Sequence, residues 1–521
     1  MTVVKHLNSA LSATRISLLI AVLCCPLPAF SQSFSGVLTW HNDNARTGQN
    51  LQETTLTTAL VNSKSFGKVF SYSFQGKAYA QPLYVPNVSI PGQGTHNVVY
   101  VATEHDQLYA FDGDGKASEP FWQVSFINPT KGITTVSTKH SPCDSLKPEV
   151  GITSTPVIDS ATGTLYVSVE TDEKGTVIQR LHALDITSGA EKFNGPVLIQ
   201  GSFKGVTFDP TEIQRAALLL EGRNVYLAWA SLCDPHPYHG WVLAYNAQNL
   251  QQQTAIFNTT PKGDKGGIWQ TGGGLASDGR SVYFMTGDGT FDAHTGGADY
   301  GMSMLRMSLT GGLAVADYFT PFDWAQRSAK DLDLGSGGVL LLPTQNGTHP
   351  REIIGADKSG DIFLVDRQNM GRFHPKTNDV VQQLHGAGKR YMSSPAYWQQ
   401  KIYYAGVNDY LSMYSITNGL LSTSPISRSS TTFGPPGVTP SISANGANNG
   451  IVWVFEVYAN APGVLRAYDA TNLTKELYNS DQAAKGRNTP GRATRFSIPT
   501  IANGKVYLAT QTELDAYGLL Q

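Results

Sequence analysis

One repeated unit constrains this chain more than anything else in it. It is clearest from Asn97 to Gly115, NVVYVATEHDQLYAFDGDG. Two short runs, VVYVAT and QLYAFD, alternate β-branched or aromatic residues with polar ones and are joined by a tight polar turn. A second turn, Asp112-Gly113-Asp114-Gly115, leads towards Phe121-Trp122. Runs of this kind, bounded by Gly and Asp clusters, are the signature of strands and hairpins.

Most of the chain repeats this unit. The first copy runs from Gln81-Pro82 to Asp112, and the second holds TSTPVID, TLYVSVE and QRLHALD, ending at Asp185. The third is AALLLEGRNVYLAWAS with GWVLAYN, the fourth GGGLASDGRSVYFMTGD with MSMLRMS, and the fifth GGVLLLP, EIIGADKSGD and IFLVD. The sixth starts at SSPAYWQQKIYYAG, the seventh at TPSISANGANNGIVWVFEV and the eighth at FSIPTIANGKVYLAT. The copies recur at irregular intervals of about 50 to 70 residues, and most third strands are followed by a turn and a fourth. Four antiparallel strands at that period make the blade of a β-propeller. The eighth copy ends at Gln521 without a fourth strand, whereas Lys68-VFSYSF-Gln75 is a strand that no copy uses. Pairing the two closes the ring and removes the open sheet edges. The expected fold is therefore all-β, an eight-bladed propeller closed by an N-terminal strand, with seven blades as the alternative.

Composition agrees and narrows the function. Long 3.6-residue apolar stripes are missing beyond the N-terminus, which argues against a helical protein. Net charge is −2 with no long basic run, which excludes nucleic acid and anionic membrane surfaces as expected partners. Residues 1–31 read as a secretory signal: Lys5 and Arg15 precede the apolar run from Ile16, and Ala29 and Ser31 suit a cleavage site before Gln32. The expected organisation is a signal peptide, 1–31, and a propeller, 32–521, in a periplasmic or secreted protein without a transmembrane segment in the mature chain. A lipid-modified Cys24 is disfavoured by the bulky Leu23 before it. Cleavage leaves Cys143 and Cys233, which are expected to pair.

Strand direction alternates within a blade. The loop before strand one and the loop between strands two and three therefore open on one face, around the mouth of the central channel. Four segments of that face stand out, all in blades four and five: Gly267-Gly-Ile-Trp269-Gln, Thr286-Gly-Asp288-Gly, Asp331-Leu-Asp333-Leu-Gly and Asp357-Lys358-Ser-Gly. One tryptophan, three carboxylates and one lysine are expected to meet there.

The repeat resembles the pyrroloquinoline quinone (PQQ) repeat family, over nearly all of the mature chain. The entry segment Trp40-HNDNARTGQNLQ is similar to the lead-in of the quinoprotein alcohol dehydrogenases. That family has a Trp floor under the quinone, a Thr-Gly-Asn whose Asn binds metal, an Asp-Tyr-Asp or Asp-Tyr-Ala carrying the catalytic Asp, and a basic residue before a Leu-Asp-Arg turn. The matching positions here are Trp269, Asp288, Asp331 with Asp333, and Lys358, followed by Leu364-Val-Asp366-Arg367. The resemblance implies that PQQ lies on Trp269, and that Asp288 and Asp333 hold Ca²⁺ or a lanthanide through oxygen. It also implies Asp331 as general base and Lys358 as the group stabilising developing negative charge. The chain departs from the family in three places. It lacks adjacent cysteines in the mature sequence, Asp288 stands where Asn is usual, and the family's Glu ligand has only Asp234 as a weak substitute.

Other polar residues read more plainly. Asp112, Asp185, Asp366 and Asp469 end third strands and are expected to form turns. His236 and His239, flanked by prolines, read as a rigid loop rather than a metal pair. The basic cluster Lys485, Arg487, Arg492 and Arg495 reads as a solvated loop. The leading expectation is an exported PQQ-dependent dehydrogenase-like protein acting on an alcohol or sugar hydroxyl with an electron acceptor. The alternative is a non-catalytic propeller scaffold that binds a protein or glycan.

Overall fold

The computed structural model describes residues 1–3, 36–138, 146–458 and 461–520. The expected signal, apart from residues 1–3, and Cys143, the expected partner of Cys233, lie outside the described residues. Among the described residues no helix is long and apolar enough to cross a membrane. Contacts divide the chain into Met1–Phe34 and a second unit, Ser35–Gln521. The second unit holds eight four-stranded blades, as the sequence predicts, so the seven-bladed alternative falls.

Blade one is Leu83–Ile90, Gly94–Thr103, Gln107–Asp112 and Trp122–Ser125, in that spatial order. Every residue of Gln107–Asp112 is buried, because a blade is covered on both faces by its neighbours. Alternate side chains then serve alternate interfaces. Val98, Tyr100 and Ala102 pack with Ile158, Leu165 and Val167 of blade two. A tyrosine in the second strand adds a polar latch between neighbours. Tyr100 donates to the carbonyl of Ile186 at 2.9 Å, Tyr166 to Ala247 at 2.8 Å and Tyr403 to Ala470 at 2.6 Å, each just past the third strand of the next blade. The predicted turn aspartates do bend the chain there. Asp112 accepts from the backbone N–H groups of Asp114, Lys116 and Ala117, and Asp469 from that of Thr471.

The last blade closes as expected. Thr500–Ala502, Lys505–Ala509 and Glu513–Leu519 supply three strands, and Phe66–Ser73 pairs antiparallel with the third, from Phe66 opposite Leu519 to Ser73 opposite Glu513. The latch is repeated across the closure, where Tyr507 donates to the carbonyl of Gly113 in blade one at 2.7 Å. Blade two carries an unforeseen addition. In place of an unstructured loop before it, Ile133–Ser137 and Glu149–Val150 form a small antiparallel pair, and Ile133–Ser137 extends the far end of Thr164–Glu173.

The segment from Val37 to Asn50 crosses the centre of the ring and bonds to the innermost strand of every blade. Val37 exchanges backbone bonds with Tyr84, and the carbonyls of Leu38, Asn44, Ala45, Thr47 and Gly48 accept from Ile158, Ser277, Leu341, Tyr397 and Ile442. The side chain of Asn44 donates to the carbonyl of Leu220, and that of Asn50 to Ile501. Gln49–Asn50 also runs parallel to Ser441–Asn445. Buried side chains secure this hub. Arg46 donates to the carbonyls of Leu275 and Trp40, each at 2.9 Å, and to the Thr39 hydroxyl at 2.8 Å. The ring nitrogens of His41 face the carbonyls of Arg46 and Pro440.

Candidate functional site

A pocket of about 510 Å³ opens among the loops of neighbouring blades. Trp269, Asp288, Asp331, Asp333 and Lys358 all line it. Asp234 and Arg495 join them.

Local geometry explains how adjacent blades bring these groups together. Two glycines permit the approach. A Cβ at Gly287 would lie 2.9 Å from Asp333 Oδ1 and 3.2 Å from the Trp269 ring, and one at Gly335 would lie 2.6 Å from the backbone of Thr286. Asp288 donates its backbone N–H to Asp333 Oδ1 at 2.7 Å. Asp331 follows the short helix Trp324–Ala329 in a left-handed conformation, φ 54°, which turns the chain back into the mouth.

Arg327 on that helix is the joint that sequence reasoning missed. It donates to Asp323 at 2.7 Å, to Asp361 at 3.0 Å, to the Ser359 hydroxyl and to Asp357. One buried guanidinium thus ties the helix that delivers Asp331 to the turn that carries Lys358. The spacing of Asp323 and Arg327, four residues apart, was its only trace in the sequence.

The cluster is electrostatically uneven. The Lys358 ammonium pairs with Asp333 and, at 2.5 Å, with Asp331, while Arg390 reaches the other oxygen of Asp331 at 3.1 Å. Burial opposes the charge on Asp333, yet Lys358 holds its carboxyl below the usual range. The ammonium of Lys358 is in turn held above its ordinary value by Asp333, against the cost of burial. Asp288 fares differently: burial, then the nearby Asp333 carboxylate, outweighs the pull of Lys358 and pushes it up to about 8, and its Oδ1 is buried with no hydrogen-bond partner among the described residues.

Carboxylate oxygens of Asp288, Asp331 and Asp333 lie within 4.8 Å of one another. An oxygen-only donor set with an orphaned buried oxygen fits a hard cation such as Ca²⁺ or a lanthanide. The hollow also suits a flat, polyanionic group. Trp269 offers an aromatic surface, and Arg215, Lys265 and Arg495 supply positive charge along the lining.

Arg215, Tyr238 and Lys265 escaped the sequence reading. Arg215 sits on the inner strand Ile213–Glu221, between the rings of Tyr79 at 6.0 Å and Phe496 at 5.4 Å, and donates to the carbonyl of Thr271 at 3.3 Å. A lone charge at the start of an apolar strand was the available signal. Tyr238 follows the Asp234 loop into the lining. Its hydroxyl is held far above its ordinary range, by burial first and then by Asp234, Asp333 and Asp288. The histidines of that loop are structural, as expected: His236 pairs with Asp264 at 2.8 Å and His239 bonds Thr260 at 3.0 Å. Of the basic cluster, only Arg495 lines the pocket.

No family model and no curated protein sequence matches the chain. Solved structures do share its architecture. It is similar to the quinohemoprotein alcohol dehydrogenase of Comamonas testosteroni, with a TM-score of 0.56 at 13% identity over 93% of this chain and 80% of that one. The quinohemoprotein alcohol dehydrogenase ADHIIG of Pseudomonas putida HK5 gives a TM-score of 0.59 at 12% identity, with the same coverage of 93% and 80%. BamB of Moraxella catarrhalis gives 0.52 at 13% identity, over 87% of this chain and 99% of that one. At these identities the likeness is one of fold.

Proposed function

We propose that this protein is an exported, PQQ-dependent dehydrogenase-like enzyme that oxidises an alcohol or sugar hydroxyl. The observation that carries the reading is the convergence of Trp269, Asp288, Asp331, Asp333 and Lys358, picked from separate segments of the sequence, on one pocket. In this reading Trp269 supports the quinone, and Asp288 and Asp333 hold Ca²⁺ or a lanthanide. The quinone supplies two-electron acceptance and the cation Lewis acidity when bound. The chain supplies the rest. Asp331, whose side chain is 61% exposed, is open to substrate and takes the hydroxyl proton as general base. Lys358, only 11% exposed, is oriented by Asp331 and Asp333 and places its charge beside the reacting oxygens. The signal over 1–31, the periplasmic or secreted location and a Cys143–Cys233 bridge belong to the same proposal.

A second reading, a non-catalytic scaffold that binds a protein or glycan, has its own support. Lys358 and Arg390 together already pair with Asp331 and Asp333, and the similarity to BamB fits a propeller of that kind. Incubation with PQQ and Ca²⁺ or a lanthanide separates the two. A bound-quinone spectrum together with dye-linked alcohol oxidation supports the enzyme. Failure to bind PQQ with any of these ions overturns it and leaves the scaffold.

A further inference from the structure

The turn between the second and third strands of blade one carries two buried carboxylates that the pocket does not use. Those strands meet at Thr103 and Gln107, which pair across the hairpin. Between them Asp106 takes a left-handed conformation, φ 52°. Glu104 is 1% exposed and Asp106 0%. Both reach the entry of blade two. Glu104 Oε2 accepts from the N–H of Gly151 at 2.8 Å and from the Thr153 hydroxyl at 3.0 Å. Asp106 Oδ1 and the carbonyl oxygen of Glu104 both close on Gly151, where a Cβ would lie 2.5 Å and 2.4 Å from them. Glycine leaves that space to the oxygens.

The other carboxylate oxygens are unmet. Glu104 Oε1, Asp106 Oδ1 and Asp106 Oδ2 are buried without a hydrogen-bond partner among the described residues. The cations around them are engaged elsewhere. His105, between the two, turns to Glu149 at 3.1 Å. Lys77 donates to the carbonyl of Lys147. Arg215 donates to the carbonyl of Thr271 and lies against Tyr79 and Phe496. Glu149 and the buried Glu170 add negative charge nearby. Carboxylates buried without a counter-charge are costly. Protonation, which burial favours in both, removes the charge but adds O–H donors, and neither carboxyl bonds the other. One oxygen-seeking cation satisfies all three oxygens together.

We infer that this seam between blades one and two binds a hard divalent cation of the Ca²⁺ type, on the Asp106 carboxylate and Glu104 Oε1. Carboxylate and carbonyl oxygens are the donors such an ion takes, and water completes its shell. The carbonyl of Glu104, turned to the same glycine as Asp106, is a further donor. The ion joins the hairpin of blade one to the entry of blade two. Its effect is therefore on stability, and it does not depend on the dehydrogenase reading.

The test uses Ca²⁺ itself as probe, on protein first stripped with EDTA, by calorimetric titration and melting curves. The background is Asp288→Asn, which disables the separate carboxylate cluster of the pocket. In that background Ca²⁺ is expected to bind and to raise the melting midpoint progressively with its concentration. Adding Asp106→Asn keeps the side chain's shape, and asparagine accepts the left-handed backbone. It is expected to weaken binding by more than about 100-fold, beyond the loss that follows removal of a metal's outer partners, and to abolish the midpoint shift. Should Asp106→Asn fail to fold, Glu104→Gln repeats the comparison, since its amide oxygen still accepts from Gly151 and Thr153. No Ca²⁺ binding by the folded Asp288→Asn protein overturns the proposal. So do binding and a midpoint shift that stay unchanged when Asp106→Asn or Glu104→Gln is added.

Discussion

The floor and the mouth of the channel are both polar and both hold buried charge, yet they are built to opposite rules. In the floor, the buried groups are held by the backbone. Arg46 donates to three carbonyls and a hydroxyl, and His41 lies between two carbonyls, those of Arg46 and Pro440. Among the described residues, only Arg46 Nη2 and Asn42 Nδ2 of the hub's buried side-chain atoms lack partners. In the mouth, charges answer charges. Lys358 bridges two aspartates, while Asp288 Oδ1 and the Lys265 ammonium have no partner among the described residues. Bonding to backbone groups, which cannot move, makes a structure. Ion pairs and unmet donors and acceptors leave free energy for a ligand to collect.

The comparison can be broken most severely at the floor. Deleting residues 36–76 removes the hub from all eight blades and the outer strand from the last one. Such a chain is expected to aggregate or to lose its cooperative melting transition, and a soluble product with an unchanged melting curve refutes the role given to the hub. The single change Arg46→Ala tests the same point more finely. It leaves carbonyls unpaired in a dry interior, and a loss of more than about 3 kcal/mol in denaturant unfolding is expected, in the upper range for one substitution.

The same degree of change at the mouth has a different outcome. Asp331→Asn keeps the side chain's shape on an exposed residue, and stability is expected to stay within about 0.5 kcal/mol. If the proposed function holds, turnover falls by about 10²–10⁴-fold while quinone affinity survives. A variant that loses stability instead, or keeps full turnover, erases the distinction between floor and mouth.

A separate effect concerns pH. Glu104 is pushed up to about 7 and Glu212 to about 8, in both cases by burial first. Each holds its proton in the folded chain at pH values where the unfolded chain, with an ordinary glutamate value of 4.5, has lost it. The folded state therefore binds more protons, so stability falls as pH rises from about 5 to about 8 and then levels off. Urea midpoints measured across that range should drift downward, and Glu104→Gln with Glu212→Gln should flatten the drift. An unchanged slope in the double variant removes these two groups as its source.

Much of this architecture could be read from the chain. Repeated hairpins such as VVYVAT-EHD-QLYAFD carry their own strand and turn signals, so blade number followed from counting copies. The spare strand near Lys68 and the missing strand after Gly518 identified each other by arithmetic. The residues of the mouth were legible for a related reason: each sits at a fixed place in its repeat, and loop class alone assigns it to a face.

What the tertiary structure alone decided is who meets whom across the ring. His41 bonds Pro440, 399 residues away, and Asn50 bonds Ile501, 451 away. A single hydrogen bond of that reach leaves no local pattern, because the hub has neither period nor partner strand of its own length. The same holds for Arg327, Arg215 and Lys265. Their roles come from neighbouring loops folding over one another, which composition and spacing within any one blade do not encode. Local sequence determines the unit, since strand and turn preferences act over a few residues. Closure of the ring determines the site, since only then do loops far apart in the chain share one pocket.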